Sequence, residues 1–146
     1  MVNYVKGNLL DSNCDYICHQ VNCQGVMGSG IARQIRERWP EVYEEYKKLC
    51  DSWYPDDLLG GIQIAGHVVN MFSQDSFGYD GRRYTSYDAF VECLLKFRNY
   101  IPYGCTIGFP KNIGCGLGGG NWQIISTMIE EILGKYYEVY IYEWDK

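Results

Sequence analysis

Short apolar stretches of strand length alternate along this chain with longer stretches of helical period. Residues 2–5 and 15–21 read as strands, the second containing DYICHQV, which alternates and is rich in strand formers. IARQIRERW then spaces its apolar residues as a helix does, predicting a helix over 28–38 that ends at Trp39-Pro40. EVYEEYKKLCD predicts another, with apolar and aromatic side chains at 42, 43, 46, 49 and 50 and an i,i+4 ion pair from Glu44 to Lys48. WYPDDLLGG reads as a loop, and GIQIAG and HVVNMFSQ as two strands of a hairpin turning at Ala65-Gly66. Beyond the polar SFGYDGRRYT, the pattern predicts a helix in YTSYDAFVECLLKFRNY, a strand over 105–109, a helix over 121–133 capped by Asn121, and a closing strand in KYYEVYIYEW.

Strands alternating with helices, except at one hairpin, imply a mixed central sheet covered by helices on both faces, a three-layer α/β/α sandwich. Sheets of this kind bind ligands beyond the carboxyl ends of their strands. Three loops leave strand ends there: HQVNCQGVMGSGIA at 19–32, FSQDSFGYDG at 72–81 and the glycine-rich stretch from Ile113 to Gly120. Gly28 and Gly30 fall where a helix begins, so unpaired backbone N–H groups and the helix dipole favour an anion, and absent side chains permit close approach. The loop from Ile113 to Gly120 repeats the arrangement ahead of the Asn121 cap. Two such loops can clamp a diphosphate.

The totals narrow the choice. The 146 residues fit one domain, 1–146, with a core large enough to need no staples. A net charge of −5 with 21% charged residues gives no basic footprint for a nucleic-acid duplex or an anionic membrane, leaving backbone amides to hold any phosphate. Seven cysteines, an odd number without modular spacing, read as reduced thiols, and the N-terminus MVNYVKGNLL carries no signal-peptide pattern; a cytoplasmic location is expected.

Several motifs fit their chemistry poorly. Gly114, Gly116 and Gly119 satisfy G-x-G-x-x-G with Glu138 or Glu143 about 20 residues on, but the motif sits in the last strand–helix unit of a chain too short for two dinucleotide-binding halves. A phosphate-binding Walker loop fails because Gly120-Asn121 stands where Lys and Ser or Thr are required. Cys115 in an anion loop suggests a thiolate nucleophile, yet the arginine expected six residues on is Asn121, which favours a packed loop residue. Cys18 and His19, being adjacent on a strand, point to opposite faces, and Cys14, Cys18, His19 and Cys23 lack zinc spacing. No metal and no cofactor is expected.

His19 and Asn22 lie at the end of their strand nearest the cleft. A histidine there can act as general acid or base near neutral pH and an asparagine can hold a sugar hydroxyl, although a hydrogen-bonded core histidine and a turn asparagine explain them equally well. His67 falls in the hairpin turn and looks incidental. Tyr142, at the end of the last strand, can stack on a base, and the side-chain oxygen of Asn8 can accept from an adenine amino group.

In order along the chain, YVKGNLL at 4–10, HQVNCQGVMGSGIA, GCGLGG followed by Trp122, and VYIYEW resemble the macrodomains, binders of ADP-ribose. The resemblance is strongest to the subfamily of ADP-ribose 1″-phosphate phosphatases and ADP-ribosyl-glutamate hydrolases, and FSQDSFGYDG resembles the corresponding loop of the phosphatase branch. It implies that Asn8 and Leu9 touch adenine and that Tyr142 lies against the base. It further implies that Gly28, Ser29, Gly30 and Ile31, with Gly114, Cys115, Gly116, Leu117 and Gly118, wrap the diphosphate and distal ribose, with Ser73 and Gln74 beside them. Asn22 would face the distal ribose, and His19 matches a histidine of the phosphatase branch. The glutamate-linkage hydrolases carry a lysine and an aspartate where this chain has Gln74 and Gly118, so their covalent route lacks its reagents here.

The resulting expectation is metal-independent hydrolysis of ADP-ribose 1″-phosphate, or of O-acetyl-ADP-ribose, with His19 and Asn22 as catalytic residues. The alternative is a reader that binds free or protein-linked ADP-ribose without turnover.

Overall fold

The computed structural model describes residues 1–144. Along the chain lie β1 (Val2–Lys6), a 3₁₀ turn (Leu9–Asp11), β2 (Tyr16–Asn22), α1 (Gly30–Arg38), α2 (Pro40–Ser52), the short α3 (Pro55–Leu58), β3 (Ile62–Ala65) and β4 (Val68–Gln74). There follow α4 (Tyr87–Tyr100), β5 (Thr106–Pro110), α5 (Trp122–Leu133) and β6 (Glu138–Glu143). The strands form one sheet in the order β1-β6-β5-β2-β4-β3, parallel except for the β3–β4 hairpin. The expected mixed sheet with helices on both faces is what forms.

Alternation along the strands supplies two apolar layers. Cys18, Val69, Met71, Ile107, Phe109, Val139 and Ile141 face α4 and α5, whose buried stripes recur at three- and four-residue steps: Phe90, Cys93, Leu94 and Phe97, then Ile125, Ile129 and Leu133. Ile17, Val21, Val68 and Phe72 face α1 and α2 and pack against Ile35, Val42 and Tyr46. Each such side chain, fully buried, contributes roughly 1.5–3 kcal/mol.

Local chemistry moves several boundaries. Gly28 and Ser29 lie outside α1, which starts at Gly30, where φ is +57°. Pro40, with its fixed φ and no N–H to lose, serves as the first residue of α2. PDDL within the expected loop closes one helical turn, α3. Ser86 Oγ accepts the Ala89 amide at 3.1 Å and so starts α4 at Tyr87, whereas Tyr84 and Thr85 are drawn toward another loop. Asn121 caps α5 as expected, through Ile124 N at 3.2 Å. Residues 135–137 form a turn after that helix instead of opening β6, because the Tyr136 and Tyr137 amides return to Leu133 O. The Glu44–Lys48 pair does not form among the described residues; Lys47 bonds Asp51 on the same helix instead.

All seven cysteines are free, and no helix among the described residues is long and apolar enough to cross a membrane.

Candidate functional site

At the carboxyl end of β2 the register slips between Val21 and Asn22, so that Asn22 stands opposite Gln74 rather than Ser73. The bend turns the Asn22 carboxamide into the following loop. Its Oδ1 accepts the Gln24 amide at 2.9 Å and its Nδ2 donates to Val26 O at 2.8 Å, closing a tight turn on the side chain itself. From α2, the buried Tyr46 hydroxyl reaches Asn22 Oδ1 and main-chain O at 2.9 and 2.7 Å, and Tyr43 donates to Gly25 O at 3.2 Å. Beyond this anchored turn, the amides of Gly28 to Ala32 have no hydrogen-bond partner among the described residues; Arg33 N, on Ser29 O, is the first that does. Ser29, the N-cap of α1, makes no side-chain cap bond, so its hydroxyl stays available at the positive end of the helix.

The second loop is shaped from outside itself. Gly114 O accepts Gly120 N at 2.8 Å and Thr85 Oγ1 at 2.7 Å, and Gly118 O accepts the amides of Tyr84 and Thr85 at 2.7 and 3.0 Å. Cys115 N and Gly119 N close local turns onto Asn112 O and Gly116 O. Three successive amides, those of Gly116, Leu117 and Gly118, keep no partner among the described residues and form a concavity suited to an anion.

Both loops border one cleft of about 130 Å³, with Gln20, Asn22 and Gln74 on its floor and Phe77 and Tyr79 at its rim. Gly28, Ser29, Ile31, Leu117 and Gly118 supply its walls. Among the described residues, no ionisable side chain except the Tyr79 phenol lines it. Ile31 also lines a second hollow of about 300 Å³, where Asn8, Leu9, Gln34 and Tyr142 gather beside Lys111 and Glu143. Those last two form an ion pair at 3.0 Å, and the Lys111 ammonium holds the Glu143 carboxyl below its ordinary range. The two hollows make one groove running across the ends of β6, β5, β2 and β4.

The structure corrects several sequence-based assignments. His19 is not at the cleft: it is wholly buried with Ile17 and Val21 on the face of β2 toward α1 and α2. Its Nε2 bonds Asn70 Oδ1 at 2.6 Å, Asn70 Nδ2 donates to Gln63 Oε1, and Gln63 Nε2 donates to Glu45 O. A main-chain carbonyl only accepts, so the direction of the whole relay is set and Nε2 carries the proton. Nδ1 is a buried lone pair without a partner, and burial lowers the histidine to about 4. His19 therefore offers neither acid nor base to a ligand.

Ser73 is likewise fully buried, with its hydroxyl donated to Gln20 Oε1 at 2.7 Å beneath the floor. Gly114 and Cys115 fold under the second loop rather than lining the cleft; the Cys115 thiol bonds Ile113 O and burial raises its pKa. Asn8 borders the outer hollow, where its Oδ1 accepts Leu10 N at 3.0 Å as a cap and so spends one of its two lone pairs on the turn. Leu9 and Tyr142 lie in that hollow, and Gln74, Gly118 and Asn22 in the inner one. His67 packs edge-on against Trp39.

Sequence reasoning missed Gln20, Phe77 and Tyr79. Gln20 carried one signal, a long polar side chain two residues before its strand gives way to the loop. Among the described residues no three His, Cys, Asp or Glu side chains gather as a metal site.

No protein-family model matches the chain. The structure of the macrodomain of Thermus aquaticus DarG superposes on it with a TM-score of 0.76, 25% identity and 98% coverage of both chains. The chain has the macrodomain fold. Thermosipho africanus DarTG, solved in complex with ADP-ribose, shares that fold at a TM-score of 0.75 and 20% identity, over 98% of this chain and 42% of that one. In sequence, this chain is 28% identical over 158 residues to an uncharacterized 17.5 kDa protein of phage T4, spanning 99% of this chain and 97% of that protein. It is 25% identical to the DNA ADP-ribosyl glycohydrolase of Thermus aquaticus, where it covers 98% of itself but 41% of the longer protein. It is 31% identical over 111 residues to the ADP-ribose 1″-phosphate phosphatase of Meyerozyma guilliermondii, 62% of each chain.

Proposed function

We propose that this chain, acting as one macrodomain unit, binds ADP-ribose in the groove between its two loops. Adenine lies in the outer hollow against Tyr142. The diphosphate lies between the amides of Gly28 to Ala32 and those of Gly116 to Gly118, and the distal ribose sits over Asn22, Gln20 and Gln74. The observation that carries this reading is the pair of unpartnered amide runs lining one cleft that holds no cationic side chain. Such amides bind an anion without the desolvation cost of a buried lysine or arginine. Titration calorimetry with ADP-ribose in the presence of EDTA tests it: micromolar binding is expected, and no heat up to millimolar ligand overturns it.

A second reading is supported by the likeness to the yeast phosphatase: hydrolysis of ADP-ribose 1″-phosphate to ADP-ribose and inorganic phosphate. Water attacks phosphorus as the P–O1″ bond breaks; with a phenol as the one ionisable side chain among the described residues lining the cleft, the substrate's own phosphate dianion takes the water's proton and passes it to the leaving 1″-oxygen, which departs as the ADP-ribose hydroxyl. The amides of Gly116 to Gly118 then stabilise the charge that develops. O-acetyl-ADP-ribose carries no such internal base, which makes deacetylation the weaker variant. The covalent route through lysine and aspartate has neither group available, since Gln74 and Gly118 stand in their places. Phosphate release by the purified protein separates the readings: release that persists in His19→Gln supports hydrolysis, and ADP-ribose binding without release leaves a reader.

A further inference from the structure

We infer that Gln20 is a positioning residue that shapes the second loop, through Thr85, for the distal half of the ligand. This deepens the ADP-ribose reading and rests on it for the ligand's identity. The side chain of Gln20, on β2, links the carboxyl end of β4 to Thr85 and, through Thr85, to the second loop. Its Oε1 accepts from Ser73 Oγ on β4 at 2.7 Å, and its Nε2 donates to Gln74 Oε1 and to Thr85 Oγ1 at 2.9 Å. Thr85 Oγ1 then donates to Gly114 O at 2.7 Å, the carbonyl on which the loop closes through Gly120 N. Both Nε2 protons, the Ser73 hydroxyl and the Thr85 hydroxyl are spent in this relay, so its polarity has no alternative that satisfies every group.

The loop is also moulded to that relay sterically. A Cβ on Gly118 would lie 2.5 Å from Thr85 Oγ1 and 3.0 Å from Gln20 Nε2, and one on Gly114, where φ is +72°, would lie 2.9 Å from Gln20 Oε1. The glycines permit the backbone to rest flat on the amide and the hydroxyl, and that seating leaves the Gly116, Leu117 and Gly118 amides as the unpartnered run. Without Gln20, Thr85 loses the donor that holds its hydroxyl toward Gly114 O. The 84–85 segment then loses one of its links to the sheet.

The adenosine hollow shares none of these residues. The consequence of losing Gln20 is therefore confined to one end of the groove, which a general loss of stability would not be.

The test compares Gln20→Ala and Thr85→Val with Thr85→Ser, which keeps the hydroxyl. Amide hydrogen exchange on the ligand-free proteins is read first, followed by calorimetry with ADP-ribose and with AMP. The expected result is faster exchange over residues 114–120 than over 22–32 in the first two variants. It is accompanied by a roughly tenfold loss of ADP-ribose affinity, the size of one hydrogen bond, with AMP affinity unchanged. Thr85→Ser restores both. Unchanged exchange over 114–120 overturns the assignment, as does an equal loss for ADP-ribose and AMP with exchange raised throughout the chain. If the unmutated protein binds no ADP-ribose, the binding proposal fails and the exchange comparison alone decides the role of Gln20.

Discussion

The Tyr46 hydroxyl on α2 lies 2.9 Å from Asn22 Oδ1 and 2.7 Å from Asn22 O, inside the core formed with Phe72. Helix packing and loop geometry are thereby the same interaction. The oxygen of Asn22 is occupied by Tyr46 and by its own turn, so toward a ligand the residue presents only the remaining Nδ2 proton. Asn22 is an orienting donor in this cleft, without capacity to accept a proton from water.

Tyr46→Phe keeps the ring against Phe72 and removes only the donor. We expect a loss of about 1–2 kcal/mol in stability by urea unfolding, together with weaker ADP-ribose binding, because the 22–26 turn loosens. Full retention of affinity would separate the turn from the site.

Acid sensitivity follows from His19. It titrates at about 4 in the fold against 6.5 for an ordinary histidine, so the unfolded chain takes up its proton first as pH falls. The associated stability is complete above pH 6.5, declines between 6.5 and 4, and is gone below 4. Its full size is about 3 kcal/mol. The difference in unfolding free energy between the unmutated protein and His19→Gln, followed from pH 7 to pH 4, is expected to shrink by roughly that amount. A constant difference would contradict the buried neutral ring.

The resemblance to the glutamate-linkage hydrolases implies that Gly118 stands where they carry an aspartate, and the space a side chain would need there is already filled by Thr85 and Gly114. Gly118→Ala is expected to lower ADP-ribose affinity at least tenfold by displacing the second loop. Gly118→Asp combined with Gln74→Lys is expected to yield no glutamate-linkage hydrolase, since the carboxylate cannot enter without moving the loop. Release of ADP-ribose from a modified glutamyl peptide by that double variant would refute this account.

Tyr142 is expected to act at the other end. Tyr142→Ala should weaken AMP and ADP-ribose by the same factor, roughly fivefold to tenfold for a lost stacking contact. Selective loss of ADP-ribose alone would place adenine elsewhere.

The outline of the fold was legible because each period change in the chain coincides with a change of element. The β3–β4 hairpin, the α4 and α5 stripes and the Asn121 cap follow from local pattern alone. The functional loops were legible as glycine clusters behind strands. His19 was misassigned for a physical reason: alternation places it on the same strand as Gln20 but on the opposite face. Which face meets the cleft depends on where α1 and α2 pack. The Glu44–Lys48 pairing lost to Lys47–Asp51 because side-chain pairing on an exposed helix is weak enough for its neighbours to redirect.

By itself, then, the sequence determined the alternation of strands and helices, the caps and the glycines that let two loops approach an anion, because these depend on backbone sterics and on neighbours a few residues away. Tertiary structure alone decided which polar side chains face the groove. It buried His19 in a relay to Glu45 O, occupied the oxygen of Asn22 with Tyr46, sank Ser73 beneath the floor and brought Gln20 into contact with Thr85 from 65 residues away. Those outcomes turn on satisfying every buried donor and acceptor at once, a condition set by the packed sheet as a whole and by no segment of it.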